Sequence, residues 1–140
     1  MKFNRTSRNA ILSVILGDGH LDKRGWATML HCSKQKDYLD WKISYLRGVG
    51  VKCNDSVYKN NNSFGAYRTY INTTAWGKLL HKIVYKNGTK DIYNRKLLNR
   101  LSQIHLAIWY MDDGGLSQKK RDGKVCANEL MINTHTSRVN

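Results

Sequence analysis

No proline occurs anywhere in the 140 residues, an unusual absence that by itself assigns no function. No apolar run approaches the length needed to span a bilayer. The start, Met1-Lys2-Phe3-Asn4-Arg5, is basic, but the apolar segment after it ends in an acid, which argues against a signal peptide. Cysteine is sparse: Cys32, Cys53 and Cys126 are odd in number and isolated, with no Cys-x-x-Cys pair. That argues against a disulfide framework and against a zinc site, and His31-Cys32 with a distant Cys53 is poor metal spacing. The thiols read as reduced and partly buried in an intracellular protein. Acids are scarce as well, 10 against 24 Lys and Arg, leaving a formal charge of +14. A field of that size favours phosphate polymers or anionic membranes, and with no membrane span the expected partner is nucleic acid. Thirteen Asn and fifteen Lys point to an AT-rich coding genome, as in an organelle (mitochondrion or plastid) or a phage.

A hydrophobic content of 41% is enough for a packed core, and the length suits one domain or one and a half small ones. Two stretches stand out. One is Leu106-Ala107-Ile108-Trp109-Tyr110-Met111-Asp112-Asp113-Gly114-Gly115. The other is Ile11-Leu12-Ser13-Val14-Ile15-Leu16-Gly17-Asp18-Gly19. Each reads as a hydrophobic helix that ends in a carboxylate, just before a glycine able to take positive φ and stop the helix. Ser13 and Gly17, four apart, form a small-residue face on which another helix can pack closely. Two such helices side by side would bring Asp18 and Asp113 together. Carboxylates so placed repel unless a cation lies between them, and a hard divalent metal such as Mg²⁺ prefers oxygen ligands.

In chain order, the spacing predicts a helix over 8–18, a hairpin over 20–34 turning at Lys23-Arg24-Gly25, and a helix over 35–48. Alternation in the return strand of that hairpin separates Trp26, Thr28, Leu30 and Cys32 from Ala27, Met29, His31 and Ser33, without saying which set is buried. Strands over 51–59 and 65–73 follow, joined at Asn60-Asn61-Asn62-Ser63. A helix over 74–86 has Trp76, Leu79, Leu80, Ile83 and Val84 as its buried stripe. A basic connector over 89–103 has a helical centre. A helix over 104–113 then leads to a hairpin turning at Lys119-Lys120-Arg121-Asp122-Gly123, with a return strand from Val125 to Asn133. The class is α+β, with a weak internal repeat offset by about ninety residues. The division is a first repeat over 1–88, a connector over 89–103 and a partial second repeat over 104–140.

The two helical stretches resemble the paired motifs of LAGLIDADG homing endonucleases. Residues 106–115 fill every defined position of the second motif, L-A-x-W-[FY]-M-D-D-G-G, found in the intron- and intein-associated subgroup, and the end of the first stretch, Leu16-Gly17-Asp18-Gly19-His20-Leu21, is similar to the first motif. The resemblance implies the LAGLIDADG homing-endonuclease fold, an αββαββα unit followed here by a partial αββ unit, and a second repeat cut short. It also implies site-specific cleavage of double-stranded DNA with Mg²⁺, or Mn²⁺ in its place. On that basis Asp18 and Asp113 are the catalytic and metal-binding pair. Gly17 and Asp112 lie beside them as candidate metal-site residues, Asp112 more as a helix-end or supporting group than as a ligand. Lys90-Asp91-Ile92 fits a K-x-I segment of the subgroup and makes Lys90 a candidate catalytic ammonium. The next position, usually proline in the family, is Tyr93. Lys23, Arg24, Lys52, Lys59, Arg68, Asn72, Lys119, Lys120 and Arg121 are candidate contacts to DNA phosphates or base edges.

Two other functions fit the same residues. One is a cleavage-deficient DNA-binding protein or a maturase-like splicing cofactor acting on host intron RNA. The other is a basic RNA-binding domain, which accounts for the charge but not for the twin acidic helices. A second chain supplying the missing half-unit is a further candidate partner.

Overall fold

The structure, a computed structural model, describes residues 3–61, 64–92 and 94–132, without the side chains of 60, 61, 64, 74 and 75. Helix α1 spans Arg5–Leu16, and the side chain of Asn4 caps it by accepting from the Ser7 amide at 2.8 Å. Ala10, Ile11, Val14 and Ile15 are fully buried, so the helix is covered on more than one side. Asn9 ties it to the chain ahead of the other motif helix, donating from Nδ2 to the Arg100 carbonyl at 2.8 Å.

Strands β1 (His20–Leu21), β2 (Ala27–Cys32), β3 (Val57–Asn61) and β4 (Phe64–Ile71) form one antiparallel sheet in the order β1-β2-β4-β3. The turn between β1 and β2 lies where the basic triplet predicted it. Gly25 sits at φ +89°, a conformation that suits glycine. The register also answers which face is buried. Leu21, Ala27 and Ile71 align across the sheet, as do Met29 and Thr69, and all five are buried. His31 shares that inner face. His20, Thr28 and Tyr70 align on the opposite face, as do Leu30, Arg68 and Val57.

The strand expected over 51–59 begins later. Residues 52–54 hold only the end of β4, through the bridge of Cys53 with Ile71 and the Asn72 N–H donated to the Lys52 carbonyl at 2.9 Å. Asn60 and Asn61, expected as turn, extend β3, whereas Asn62 and Ser63 lie outside the described residues, as do Tyr93 and 133–140. Helix α2 (Lys36–Gly48), entered through a 3₁₀ turn at Ser33–Gln35, packs Leu39, Ile43 and Leu46 on the core.

Helix α3 spans Thr74–Val84. Of its expected stripe, Leu80 and Val84 are buried, while Leu79 and Ile83 are 54% and 37% exposed. The helix meets the core along a narrow line, so a stripe five residues wide is only half used. It stops two residues early because Tyr85–Lys86 and Thr89–Lys90 form a small hairpin, β5 and β6, around Asn87-Gly88, both at positive φ. Lys90 therefore lies on a strand and not in an irregular connector. A short helix α4, Arg95–Leu98, follows.

Helix α5 spans Gln103–Asp113 and packs against α1, burying Ile108 and Trp109. Ser102 N donates to His105 Nδ1 at 3.1 Å and fixes its start. Strands β7 (Gly114–Arg121) and β8 (Lys124–Ile132) form a separate two-stranded sheet. Its turn is Asp122-Gly123 alone, both at positive φ, so Lys119, Lys120 and Arg121 belong to the strand and not to the turn. An Asp-Gly pair forms a two-residue turn whose twist matches the strands, and this outweighs the basic run before it. No helix among the described residues is long and apolar enough to cross a membrane.

Candidate active site at the helix junction

Asp18 lies between α1 and β1, and Asp113 is the last residue of α5, directly before β7. Both acids thus sit where a motif helix hands the chain to the first strand of a sheet. The glycines beside them act through space rather than through φ. Neither Gly19 nor Gly114, the glycine after each acid, takes the positive φ expected of it, and Gly17 and Gly114 have φ of −84° and −82°. A Cβ at Gly17 would instead overlap the Asp112 carboxylate, and one at Gly114 would overlap the Tyr110 carbonyl and ring. The α1–α5 seam closes on a position with no side chain.

Asp112 is the most heavily engaged acid of the three. Its Oδ2 accepts from the Asp18 amide at 3.2 Å, and its Oδ1 accepts from Lys42 Nζ at 2.7 Å and Tyr38 hydroxyl at 2.9 Å. Both side chains of the Lys42–Asp112 pair are 0% exposed. Burial pulls the Lys42 ammonium below its ordinary range, against the opposing charge of Asp112. Burial and the Asp112 charge push the Tyr38 hydroxyl far up, so it remains a donor at all physiological pH. The Tyr38 hydroxyl also lies 3.2 Å from the Ile108 carbonyl of α5.

Asp18 and Asp113 are differently placed. Asp18 is pushed above the usual carboxylate range by burial and then by the Asp112 charge, with Lys42 and Lys90 opposing. Asp113 is pushed up by burial and then by Asp18, while the Trp109 indole N–H, donating to Oδ2 at 3.2 Å, pulls the other way. The Lys90 ammonium donates to the carbonyls of Gly17 and Gly19, at 2.7 and 2.8 Å, bracketing Asp18. Burial lowers the affinity of Lys90 for its proton, and the charges of Asp113, Asp18 and Asp112 raise it.

His31 completes the group. Its Nδ1 lies 3.2 Å from Gln35 Oε1 and 3.7 Å from Asp18 Oδ2. Burial, followed by the Lys42 charge, lowers its proton affinity and favours the neutral imidazole. Asp18, His31 and Asp112 each place one potential ligand atom within 4.8 Å of the others. The donors suit a divalent cation unequally. Asp18 and Asp113 carry charge that burial disfavours and that no ammonium among the described residues contacts directly, whereas Asp112 is committed to Lys42, Tyr38 and an amide. The Gly17 carbonyl already takes the Lys90 ammonium.

The motifs pointed to Asp18, Asp112, Asp113, Gly17 and Lys90, and the structure brings these together. Lys42, Tyr38 and His31 were missed. Lys42 had a signal: Leu39, Lys42, Ile43 and Leu46 lie on one helical stripe, and a lysine inside an apolar stripe needs a buried partner. His31 had none, since alternation left both faces of its strand open.

The candidate DNA contacts are spread more widely. Arg68 and Lys59 lie on the outer face of the four-stranded sheet, with exposed Tyr70 on the same face. Lys52 and Asn72 are exposed beyond the end of β4. Lys23 and Arg24 are exposed at the β1–β2 turn, where Arg24 pairs with Asp22 at 3.1 Å. Lys119, Lys120 and Arg121 are exposed at the far end of β7, where the ladder shifts register and Lys119 pairs with Glu129.

Comparison with known proteins fits this architecture. The model of the LAGLIDADG DNA endonuclease family matches residues 8–139, and the chain belongs to that family. Among curated proteins, it is 31% identical over 119 residues to Protein RecA of Mycobacterium shimoidei and 32% identical over 119 residues to Protein RecA of Mycolicibacterium chitae. Each match covers 79% of this chain but 26% of the relative, so the chain spans about a quarter of the length of these proteins. Among solved structures, the homing endonuclease I-WcaI bound to its DNA recognition sequence is similar in fold. The TM-score is 0.61 at 20% identity, over 82% of this chain and 54% of that one.

Proposed function

We propose that the chain acts as a site-specific double-stranded DNA endonuclease that uses a divalent metal. The observation that carries this reading is the pair Asp18 and Asp113. Each stands at the start of a strand and is disfavoured as a free charge by burial and by its neighbours. Mg²⁺, or Mn²⁺ in its place, would be held by these two carboxylates, and when bound it supplies an activated water and stabilises the leaving oxygen of the phosphodiester.

The chain's own groups do the rest. Trp109 orients the Asp113 carboxylate. Lys90, anchored on the two carbonyls that flank Asp18, holds positive charge beside the cleavage point. Asp112, committed to Lys42, Tyr38 and the Asp18 amide, would support the seam. Arg68 and Asn72 offer forked donors for base edges, while Lys23, Arg24, Lys52, Lys59, Lys119, Lys120 and Arg121 offer charge to phosphates. The DNA-bound state of the similar endonuclease I-WcaI supports this choice of partner. The RecA-named relatives share only a quarter of their length with the chain, so no recombinase activity is carried over.

The test is cleavage of a supercoiled plasmid library in Mg²⁺ and in Mn²⁺ by wild type, Asp18→Asn and Asp113→Asn, with a gel shift in EDTA. Cleavage by wild type alone, with DNA retained by all three, supports the assignment. Equal cleavage by either variant overturns it. Binding without cleavage by any of them favours the second reading, a DNA-binding or maturase-like protein. Leu116 and Leu130, exposed at 57% and 73% on the β7–β8 sheet, give that reading a surface for a second chain as a partner.

A further inference from the structure

We propose that Lys42 is a positioning residue for Asp18, acting through Asp112, and that its ammonium is the internal cation of the junction. The inference rests on the endonuclease reading and extends it to a residue outside both motifs. Three carboxylates, Asp18, Asp112 and Asp113, converge at one helix seam. A buried carboxylate without a partner is costly, and a buried pair is retained only with good geometry and full hydrogen bonding. Asp112 meets both conditions, since Lys42 and Tyr38 occupy Oδ1 and the Asp18 amide occupies Oδ2.

Two consequences follow from that arrangement. First, the Asp18 amide is held by Asp112, between the two carbonyls that Lys90 holds, and Asp112 stays in place because Lys42 neutralises it. Second, the ammonium already neutralises Asp112, the acid that groups with Asp18 and His31 as possible ligands, and so competes with a metal for it. A divalent ion is left with the Asp18–Asp113 side. The position equivalent to Asp112 in the first motif is Gly17, so the acid, its ammonium and the notch that admits it occur once and make the junction asymmetric.

Removing Lys42 alone strands a buried carboxylate and threatens folding, so the decisive variant is Lys42→Met combined with Asp112→Leu, which removes both charges together with the acceptor of the Asp18 amide. Tyr38→Phe, which deletes one hydroxyl and keeps the ion pair, is the milder companion. Three quantities are measured on the full chain: thermal midpoint, Mn²⁺ affinity by electron paramagnetic resonance, and amide hydrogen exchange at Asp18. Where the wild type cuts DNA, kcat and KM are added.

If Lys42 positions Asp18, the double variant folds with a near-native midpoint, yet its Mn²⁺ affinity or kcat falls about 10- to 100-fold. KM for the duplex holds, and exchange at the Asp18 amide accelerates while the α1 amides do not change. Tyr38→Phe shifts the same quantities in the same direction by less. A folded double variant with native Mn²⁺ affinity, native kcat and native protection at Asp18 overturns the proposal, as does a folded Tyr38→Phe with none of these changes if the double variant does not fold. If the wild type neither cuts DNA nor binds Mn²⁺, the endonuclease reading fails separately, and the Asp18 amide alone decides whether Lys42 positions it.

Discussion

Gly17 faces the carboxylate of Asp112 at a distance that leaves no room for a β-carbon. Asp112 has no freedom to step aside, because Lys42, Tyr38 and the Asp18 amide hold it from three directions. Gly17→Ala should therefore part α1 from α5 or break the Lys42–Asp112 pair, at a cost of about 1–3 kcal/mol. The loss is read as a lower denaturant midpoint with unchanged slope, and cleavage should fall with it.

Asp18 should behave in the opposite sense. Its carboxyl is raised above 3.8, so the folded chain binds a proton that the unfolded chain has already released. The stability linked to this group is full below pH 3.8 and is lost as pH rises through the elevated value. Asp18→Asn is therefore expected to raise the melting temperature at pH 7 and to lose that advantage at pH 3. Mg²⁺ should raise the wild-type melting temperature at pH 7 and leave that of Asp18→Asn almost unmoved. A lower melting temperature for Asp18→Asn at pH 7 would show that the carboxylate is stabilising after all.

Lys90 has its charge disfavoured by burial, and its ammonium is held by two carbonyls. Lys90→Met removes the desolvation cost but leaves the buried Gly17 and Gly19 carbonyls without this donor, so stability should fall by about 1–3 kcal/mol. The rate should not be spared: loss of a placed charge of this kind lowers kcat by about 100-fold. Single-turnover cleavage separates this from a change in DNA affinity, which should stay native.

On the outer face of the four-stranded sheet, Arg68 and Lys59 should differ in kind. Lys59→Ala should weaken binding to all duplexes alike and reduce the salt slope by about 1. Arg68→Ala should relax preference at one position of the selected target, at a cost of about 1–3 kcal/mol against the native base. Selection from a randomised duplex library, repeated at two salt concentrations, distinguishes the two effects.

Much of the site was legible because its residues belong to local patterns. The second motif helix was readable to within a residue, and the K-x-I segment pointed to Lys90. The strand that carries Lys90 was not readable, since a two-residue strand has too few positions to show alternation. The face of Ala27, Met29 and His31 was ambiguous because Trp26 and Leu30, both large and apolar, lie on the exposed side. Leu79 and Ile83 looked like core for the converse reason: amphipathic spacing records what a helix can bury, not the width of the surface it meets.

Composition and local pattern alone determined the class of fold, the two acidic helix ends, the basic charge and the turn at Gly25. These depend on backbone preferences and on side-chain periodicity, which act within a few residues of chain. Tertiary structure alone decided that Asp112 would be the neutralised acid and Asp18 the one whose charge its surroundings disfavour. The Asp18 amide and Asp112 are 94 residues apart in sequence, and Lys42 reaches Asp112 across 70. Burial and Coulomb energy depend on distance through space, so no shorter stretch of the chain could have assigned those roles.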